Sequence, residues 1–573
     1  MLGVASATEL VGHMSGRLQR PVWERALKNI GLNQDQVQAF SDEISASYTE
    51  WQESTFPGLL GNVVAGRIAN RLDLGGTNCV VDAACASSLA ALEIGLNELY
   101  LGQSDMVITG GVDTLNDILM FMCFSRTTAL SPSGDCRPFS DQADGTMLGE
   151  GIGMFALKRL EDAERDGDKI YAVIQGLGSS SDGRAKSIYA PVSSGQAKAL
   201  RRAYEHAGYG PETVELVEAH GTGTKAGDAA EVGGLKIVFD DENNRKDRQW
   251  CALGSVKSQI GHTKASAGSA GLFKVAMALH HKVIPPTIKV DNPNSMLDLE
   301  NSPFYISTAA RPWIRSSDHP RRASVSSFGF GGTNFHVALQ EYDGPGKKAE
   351  KLRIQPSELF TWSSASAAEL RTQLLSSIDA LSKHPEHDLF QFLAYSSLQS
   401  YDAKNPARLA IVAEDAADLT KKLKLICDHL QKAPERAYTT PNGVHYGFDQ
   451  KAGQVAFLFP GQGSQYINMG NQLAIHFDQA RKVWDMAADM ELDPEVKLHN
   501  VVFPPTPFSD ETKQKQLDTL TATEWAQPAI GTTSLAVLTL LDSLGIKPSC
   551  VGGHSFGEVT SMFAAGVVDQ DSF

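Results

Sequence analysis

The 573 residues hold no run of eighteen apolar side chains, so no segment reads as a membrane-spanning helix. No basic stretch followed by an apolar one opens the chain, so nothing reads as a secretory leader. Basic residues are the minority charge, 51 Lys and Arg against 67 Asp and Glu, for a formal net charge of −16. That balance argues against non-specific nucleic-acid binding and against a polybasic membrane anchor, since both need a positive footprint. Cysteine is sparse. Cys79, Cys85, Cys123, Cys136, Cys251, Cys427 and Cys550 are scattered and form no CxxC pair. This disfavours a zinc cluster or a disulfide-stapled secreted module and leaves a cytoplasmic, reducing-compartment protein as the expectation. There is no short repeat and no low-complexity tract.

What is present is ordinary globular material, 42% hydrophobic and 21% charged, long enough for two to four domains. Residues 1–60 are polar and helical in tone, without a clear opening strand. Further on, apolar runs at Val107–Gly111, Tyr171–Gly176 and Val214–Ala219 alternate with small-residue helices. That alternation predicts a layered α/β core. The Gly/Pro/Lys stretch Tyr342–Lys351 reads as a linker. Beyond it, strands are predicted at Leu359–Ser363 and Leu409–Val412, and helices at Ala367–Leu381 and Ala416–Leu430. The pattern restarts with a strand at Val455–Phe459. Both ends of the chain read as cut.

Cys85 lies in VDAACASS, between an apolar strand at Cys79–Val81 and a helix marked by Leu89, Leu92, Leu96 and Leu99. A helix N-terminus favours a thiolate, and the small neighbours let a substrate approach. Taken alone, a buried structural cysteine is the blander reading. His220 in EAHGTGT and His262 in VKSQIGH each end an apolar strand beside glycine. Either histidine alone would be read as structural. Together with the glycine-rich SVSSFGFGGTN at 324–334, whose backbone N–H groups are free to face a ligand, they suggest a site.

DAACASS, EAHGTGT, VKSQIGH and SFGFGGTNFH, in that order and spacing, resemble β-ketoacyl synthases from about residue 55 to 340. The resemblance implies a thiolase-like layered α-β-α ketosynthase that works as a homodimer. It implies Cys85 as acyl-accepting nucleophile, and His220 and His262 as stabilisers of the enolate left when malonyl loses carbon dioxide. Lys257 would orient the histidines through His220. The N–H groups of Cys85 and Phe330 would form an oxyanion hole, with Phe330 and Gly331 also gating acyl entry. Thr222 and Thr224 would contact the phosphopantetheine arm. No bound cofactor or metal is implied, because substrates arrive on an acyl carrier protein. LNELYLGQSDMVITGGVDTLND and DGTMLGEGIGMFALKRLEDAERDGD resemble, more finely, type I iterative synthases of polyunsaturated fatty acids or glycolipid acyl chains. The alternatives are a thiolase-like acyl-CoA condensing enzyme and a non-catalytic dimerising fragment.

A second motif, Gly553-His554-Ser555-Phe556-Gly557, is a nucleophile elbow between a strand-like and a helix-like run. FPGQGSQ at 459–465 and Gln527-Pro528-Ala529 accompany it, and the three resemble malonyl/acyl transferases. Ser555 would be the nucleophile, and Gln462 would lend its N–H to the oxyanion. The family pattern also needs a histidine and an arginine well downstream, and only 18 residues follow Ser555. The transferase is therefore expected to be inactive within this chain. The division expected is a ketosynthase at 1–342 lacking its first strands, a small α/β linker domain at 343–452, and the opening of an α/β-hydrolase-like acyltransferase at 453–573. Arg311, Arg315, Arg321 and Arg322 are offered as a basic face at the tunnel mouth for an acidic carrier.

Overall fold

Leu2-Gly3-Val4 forms a strand that nothing in residues 1–60 predicts. Three residues are too short to show alternation, and the strand exists because neighbours on both sides complete its hydrogen bonds. The computed structural model describes residues 1–573 except 5–7, 185–186, 188–189, 241–246, 352–355, 385–386, 452, 495 and 570–573. It divides into two units.

The first unit takes in Met1–Lys351, Phe459–Ile546 and Gly553–Phe573. One of its sheets has four strands in the order Val80–Val81, Leu2–Val4, Val107–Asp113, Gly151–Leu157. The first three run parallel and the last is antiparallel. The other sheet has six strands in the order Val173–Ser181, Thr333–Gln340, Arg322–Gly329, Leu216–Glu218, Cys251–Gly254, Phe304–Tyr305. Arg322–Gly329 joins an antiparallel hairpin to a parallel set.

Two helices, Ser87–Tyr100 and Ala267–His281, pack between these sheets. Leu89, Leu92, Leu272, Val275 and Leu279 share one core with Val325 and Val337. Both helices come close to the strand at Gly111, where a Cβ would lie 2.7 Å from Ser88 Cβ and 2.8 Å from Ser266 Cα. Only glycine permits that approach. Helices Ser193–Ala207 and Lys225–Phe239 cover the far face of the six-stranded sheet around Phe139, Leu200, Val217 and Phe239. The result is a layered α/β body, as the alternating pattern predicts.

The second unit takes in Leu352–Leu458 and Lys547–Gly552. Its antiparallel sheet runs Glu358–Ser364, Ala407–Ala413, Val444–Phe448, Tyr438–Thr440. Helices Ala367–Lys383 and Ala416–Lys432 lie where the sequence predicts them, each capped by a side chain, Ser366 or Asp415. The helix His387–Ser400 and the last two strands were not predicted.

Candidate functional site

The chain leaves the strand Val80–Val81, makes one tight turn at Ala84–Ala86, and enters the helix Ser87–Tyr100. Ala84 holds φ +51, a left-handed backbone that a residue with Cβ adopts only when its surroundings enforce it. Here Ser87 enforces it. Its Oγ accepts from the Ala83 N–H at 2.9 Å and donates to the Ala84 carbonyl at 2.6 Å. Ser327 Oγ donates to the Cys85 carbonyl at 2.8 Å, tying the turn to the glycine hairpin.

His220 follows the strand Leu216–Glu218. The N–H groups of His220 and Gly221 both donate to the Glu231 carboxylate at 2.7 Å. Lys257 Nζ donates to the His220 carbonyl at 2.5 Å, so the lysine acts on the histidine through its backbone. His262 is held by its own backbone, its N–H donating to Met147 at 2.6 Å and its carbonyl accepting from Gly149 at 3.0 Å. Its ring Nδ1 accepts the Lys264 N–H at 3.0 Å, which places the ring proton on Nε2. The two imidazoles meet edge to face with centroids 5.3 Å apart. Cys85 Sγ and one nitrogen of each ring lie within 4.8 Å of one another. A thiol and two imidazoles could ligate a soft cation. The proton fixed on His262 Nε2 instead suits that ring to donate a hydrogen bond.

Burial sets the charge of this centre. It pushes the Cys85 thiol up, against the pull of the Lys257 cation and of the Phe330 and Cys85 N–H groups. It holds His220 and His262 well below the usual imidazole range, with Lys257 adding to the effect on both. Lys257 is itself lowered by burial, while Glu218 and Glu231 oppose that. Among the acids behind the site, burial raises Asp228 to about 6 and Glu231 to about 7. The resting centre is thus a neutral thiol beside neutral rings. Such rings donate hydrogen bonds without being acids. The His262 lone pair is engaged by the Lys264 N–H, whereas His220 Nδ1 has no hydrogen-bond partner among the described residues. His220 is therefore the ring able to take the thiol proton.

The hairpin 324–334 places Phe330 at its tip, 54% exposed, with Gly331 and Gly332 both at positive φ. Phe330 is therefore not core packing. The ring that packs on His220, at 5.9 Å, is Phe328. Thr222 and Thr224 lie beside the site with their hydroxyls 2.9 Å apart, and Thr224 also caps the helix Lys225–Phe239. Sequence reasoning missed Asp228 and Glu231, one and two turns along that same helix.

Ser555 sits at φ +56 between the strand Cys550–Gly553 and the helix Gly557–Ala564, and it is exposed. The three transferase motifs come together around it. A Cβ on Gly461 would lie 2.7 Å from Ser555 Cβ, and Gln462 exchanges side-chain hydrogen bonds with Thr523 and Gln527.

The four arginines do not form a docking face. Arg321 is fully buried, pairing with Glu341 at 3.1 Å and Asp485 at 2.6 Å. Arg315 pairs with Glu341 and Asp343. Arg311 lies over the Tyr305 ring and Arg322 over Tyr209. Buried acids and aromatic faces claim these cations, a pairing that charge counting along the sequence cannot show.

Residues 28–163 match the model of the β-ketoacyl synthase N-terminal domain, and residues 171–291 match that of its C-terminal domain. The ketoacyl-synthetase C-terminal extension matches 293–406, and the acyl transferase domain matches 456–572. The solved ketosynthase from module 6 of the bacillaene synthase of Bacillus subtilis 168 is 35% identical, covering 70% of this chain and 68% of its own, with a TM-score of 0.49. The chain belongs to the β-ketoacyl synthase family. It is a ketosynthase–acyltransferase region of the kind found in polyketide and fatty-acid synthases. The chain is 39% identical, over its whole length, to a polyunsaturated fatty acid synthase polypeptide from Thraustochytrium sp.. It is 34% identical over 89% of its length to the phenolphthiocerol synthesis polyketide synthase type I of Mycobacterium marinum. It spans 21% and 24% of those two proteins. Among its described residues no helix is long and apolar enough to cross a membrane.

Proposed function

We propose that this synthase catalyses decarboxylative Claisen condensation of a Cys85-bound acyl chain with malonyl on an acyl carrier protein. The observation that carries the reading is the convergence of one thiol and two neutral imidazoles within 4.8 Å. In the first step the His220 ring takes the thiol proton. Sulfur then attacks the acyl thioester, and the carrier's thiolate leaves with that proton. The N–H groups of Cys85 and Phe330 hold the oxyanion. In the second step the bond to the malonyl carboxylate breaks and carbon dioxide departs. His262 Nε2–H and His220 hold the enolate oxygen. The enolate carbon attacks the Cys85 thioester, a carbon–carbon bond forms, and the thiolate is released.

Thr222 and Thr224 would border the phosphopantetheine arm, and Phe330 with Gly331 would gate the acyl chain. Ser555 and the Gln462 N–H would belong to a partial malonyl/acyl transferase, Ser555 as its nucleophile and Gln462 at its oxyanion. The work divides among the ketosynthase at 1–342, a linker domain at 343–452 and transferase residues at 453–573. A homodimer, a cytoplasmic setting that keeps the thiol reduced, and a place in a polyunsaturated fatty acid synthase like that named for the thraustochytrid relative complete the reading.

The test uses the full chain with an acyl-phosphopantetheine thioester and a malonyl carrier. Intact mass should show one acyl adduct, lost in Cys85→Ala, and wild type should release carbon dioxide from the malonyl carrier. An adduct that survives in Cys85→Ala, or neither activity in wild type, would overturn the assignment.

A further inference from the structure

Lys264 is a buried cation that the steps above do not use. Its Nζ reaches Asp113 Oδ1 at 3.0 Å, Asn116 Oδ1 at 2.6 Å and the Gly149 carbonyl at 2.9 Å. Those are three acceptors for three ammonium protons. Both members of the ion pair are shielded, at 7% and 0% side-chain exposure. The backbone of the same residue stands at φ +49 and donates its N–H to His262 Nδ1. The Asp113 carboxylate receives the next N–H, that of Ala265, at 3.2 Å. Gly149, held by the lysine carbonyl contact, in turn donates to the His262 carbonyl. Asn116 leads into the helix Ile118–Arg126, whose Phe124 lies edge-on to the His262 ring at 6.5 Å.

We infer that the Asp113–Lys264 ion pair is a positioning device: it fixes the turn that presents the 264 N–H to Nδ1, and so keeps His262 an Nε2–H donor. This rests on the condensing reading above. A left-handed lysine needs an external tether. The ammonium supplies one, gathering three chain segments around one imidazole. Lys264 also adds positive charge near that ring, together with Lys257, while His220 and Cys85 are the other titratable groups facing it. Neither Lys264 nor Asp113 touches the reacting atoms, so the pair acts through His262.

The test compares wild type with Lys264→Met, Lys264→Arg and the apolar pair Lys264→Met/Asp113→Leu, which leaves no lone buried charge. Cys85 acylation should stay within about threefold of wild type in the double variant. Malonyl-carrier decarboxylation should fall at least about tenfold, with Lys264→Arg recovering part of it. The acid limb of the decarboxylation profile should move to higher pH, because a cation near His262 is gone. Nitrogen-15 spectra of histidine-labelled protein should show the Nε2–H tautomer in wild type and a mixture in the variants. Equal loss of acylation and decarboxylation, or an unchanged tautomer in the variants, would overturn the positioning role. If wild type neither acylates nor decarboxylates, the condensing reading falls, and the tautomer spectra still decide this one.

Discussion

At the residue scale, the centre works by keeping charges off. Burial raises the Cys85 thiol and lowers both imidazoles, so the proton needed for chemistry starts on sulfur. Alkylation requires the thiolate. A raised thiol is therefore mostly unreactive at neutral pH and gains reactivity as pH climbs toward and past its ordinary value. The rate of iodoacetamide labelling at Cys85 should keep rising through about pH 9. A plateau below pH 8, read by peptide mass spectrometry, would show that the helix N-terminus and Lys257 win over burial. Cys85, His220 and His262 could be read from sequence because each lies in a short motif that resembles β-ketoacyl synthases. The strand end expected before His262 is instead the short helix Lys257–Ile260, while His220 does follow a strand, Leu216–Glu218. Asp113 and Lys264 could not, since a pair that meets from positions so far apart leaves no local pattern. Glu231 lies on the helix Lys225–Phe239, and its carboxylate turns inward to backbone N–H groups that no periodicity reveals.

At the scale of elements, the strand-to-helix elbow at Ser555 depends on close backbone packing. A Cβ at Gly553 would lie 1.9 Å from the Gly557 carbonyl oxygen. Gly553→Ala should therefore push the helix Gly557–Ala564 off its strand, a clash of about 1–3 kcal/mol. Hydrogen exchange of that helix should speed up while the helix Ser87–Tyr100 keeps its protection. Unchanged exchange would mean that the elbow relaxes at little cost. The amphipathic helices Ala367–Lys383 and Ala416–Lys432 were legible because their apolar faces repeat over four turns or more. The helix His387–Ser400 was not, because its aromatic residues remain exposed at Phe392 and Tyr395 and blur the stripe. Strands of two or three residues, such as Leu2–Val4, exist only through their partners.

At the scale of the whole molecule, Arg321 links sequence-distant parts of the first unit. It meets Glu341 from the synthase portion and Asp485 from the transferase portion, and Asp485 also holds Arg481. Removing one member of a buried ion network strands the others. Arg321→Met should cost about 3–5 kcal/mol in denaturant unfolding. A cost under about 1 kcal/mol would mean that water or a rearranged Arg481 compensates. The layered core was predictable from alternating apolar runs, whereas this polar joint was not, because in the sequence its arginines look like any surface cluster. Leu2–Val4 has a different consequence, one of timing. It bonds to Val80–Val81 on one side and Gly110–Val112 on the other. A nascent chain emerging at about 5–20 residues per second holds that segment unpaired for several seconds before its second neighbour exists. During that interval its apolar edge is exposed to whatever binds unfinished chains.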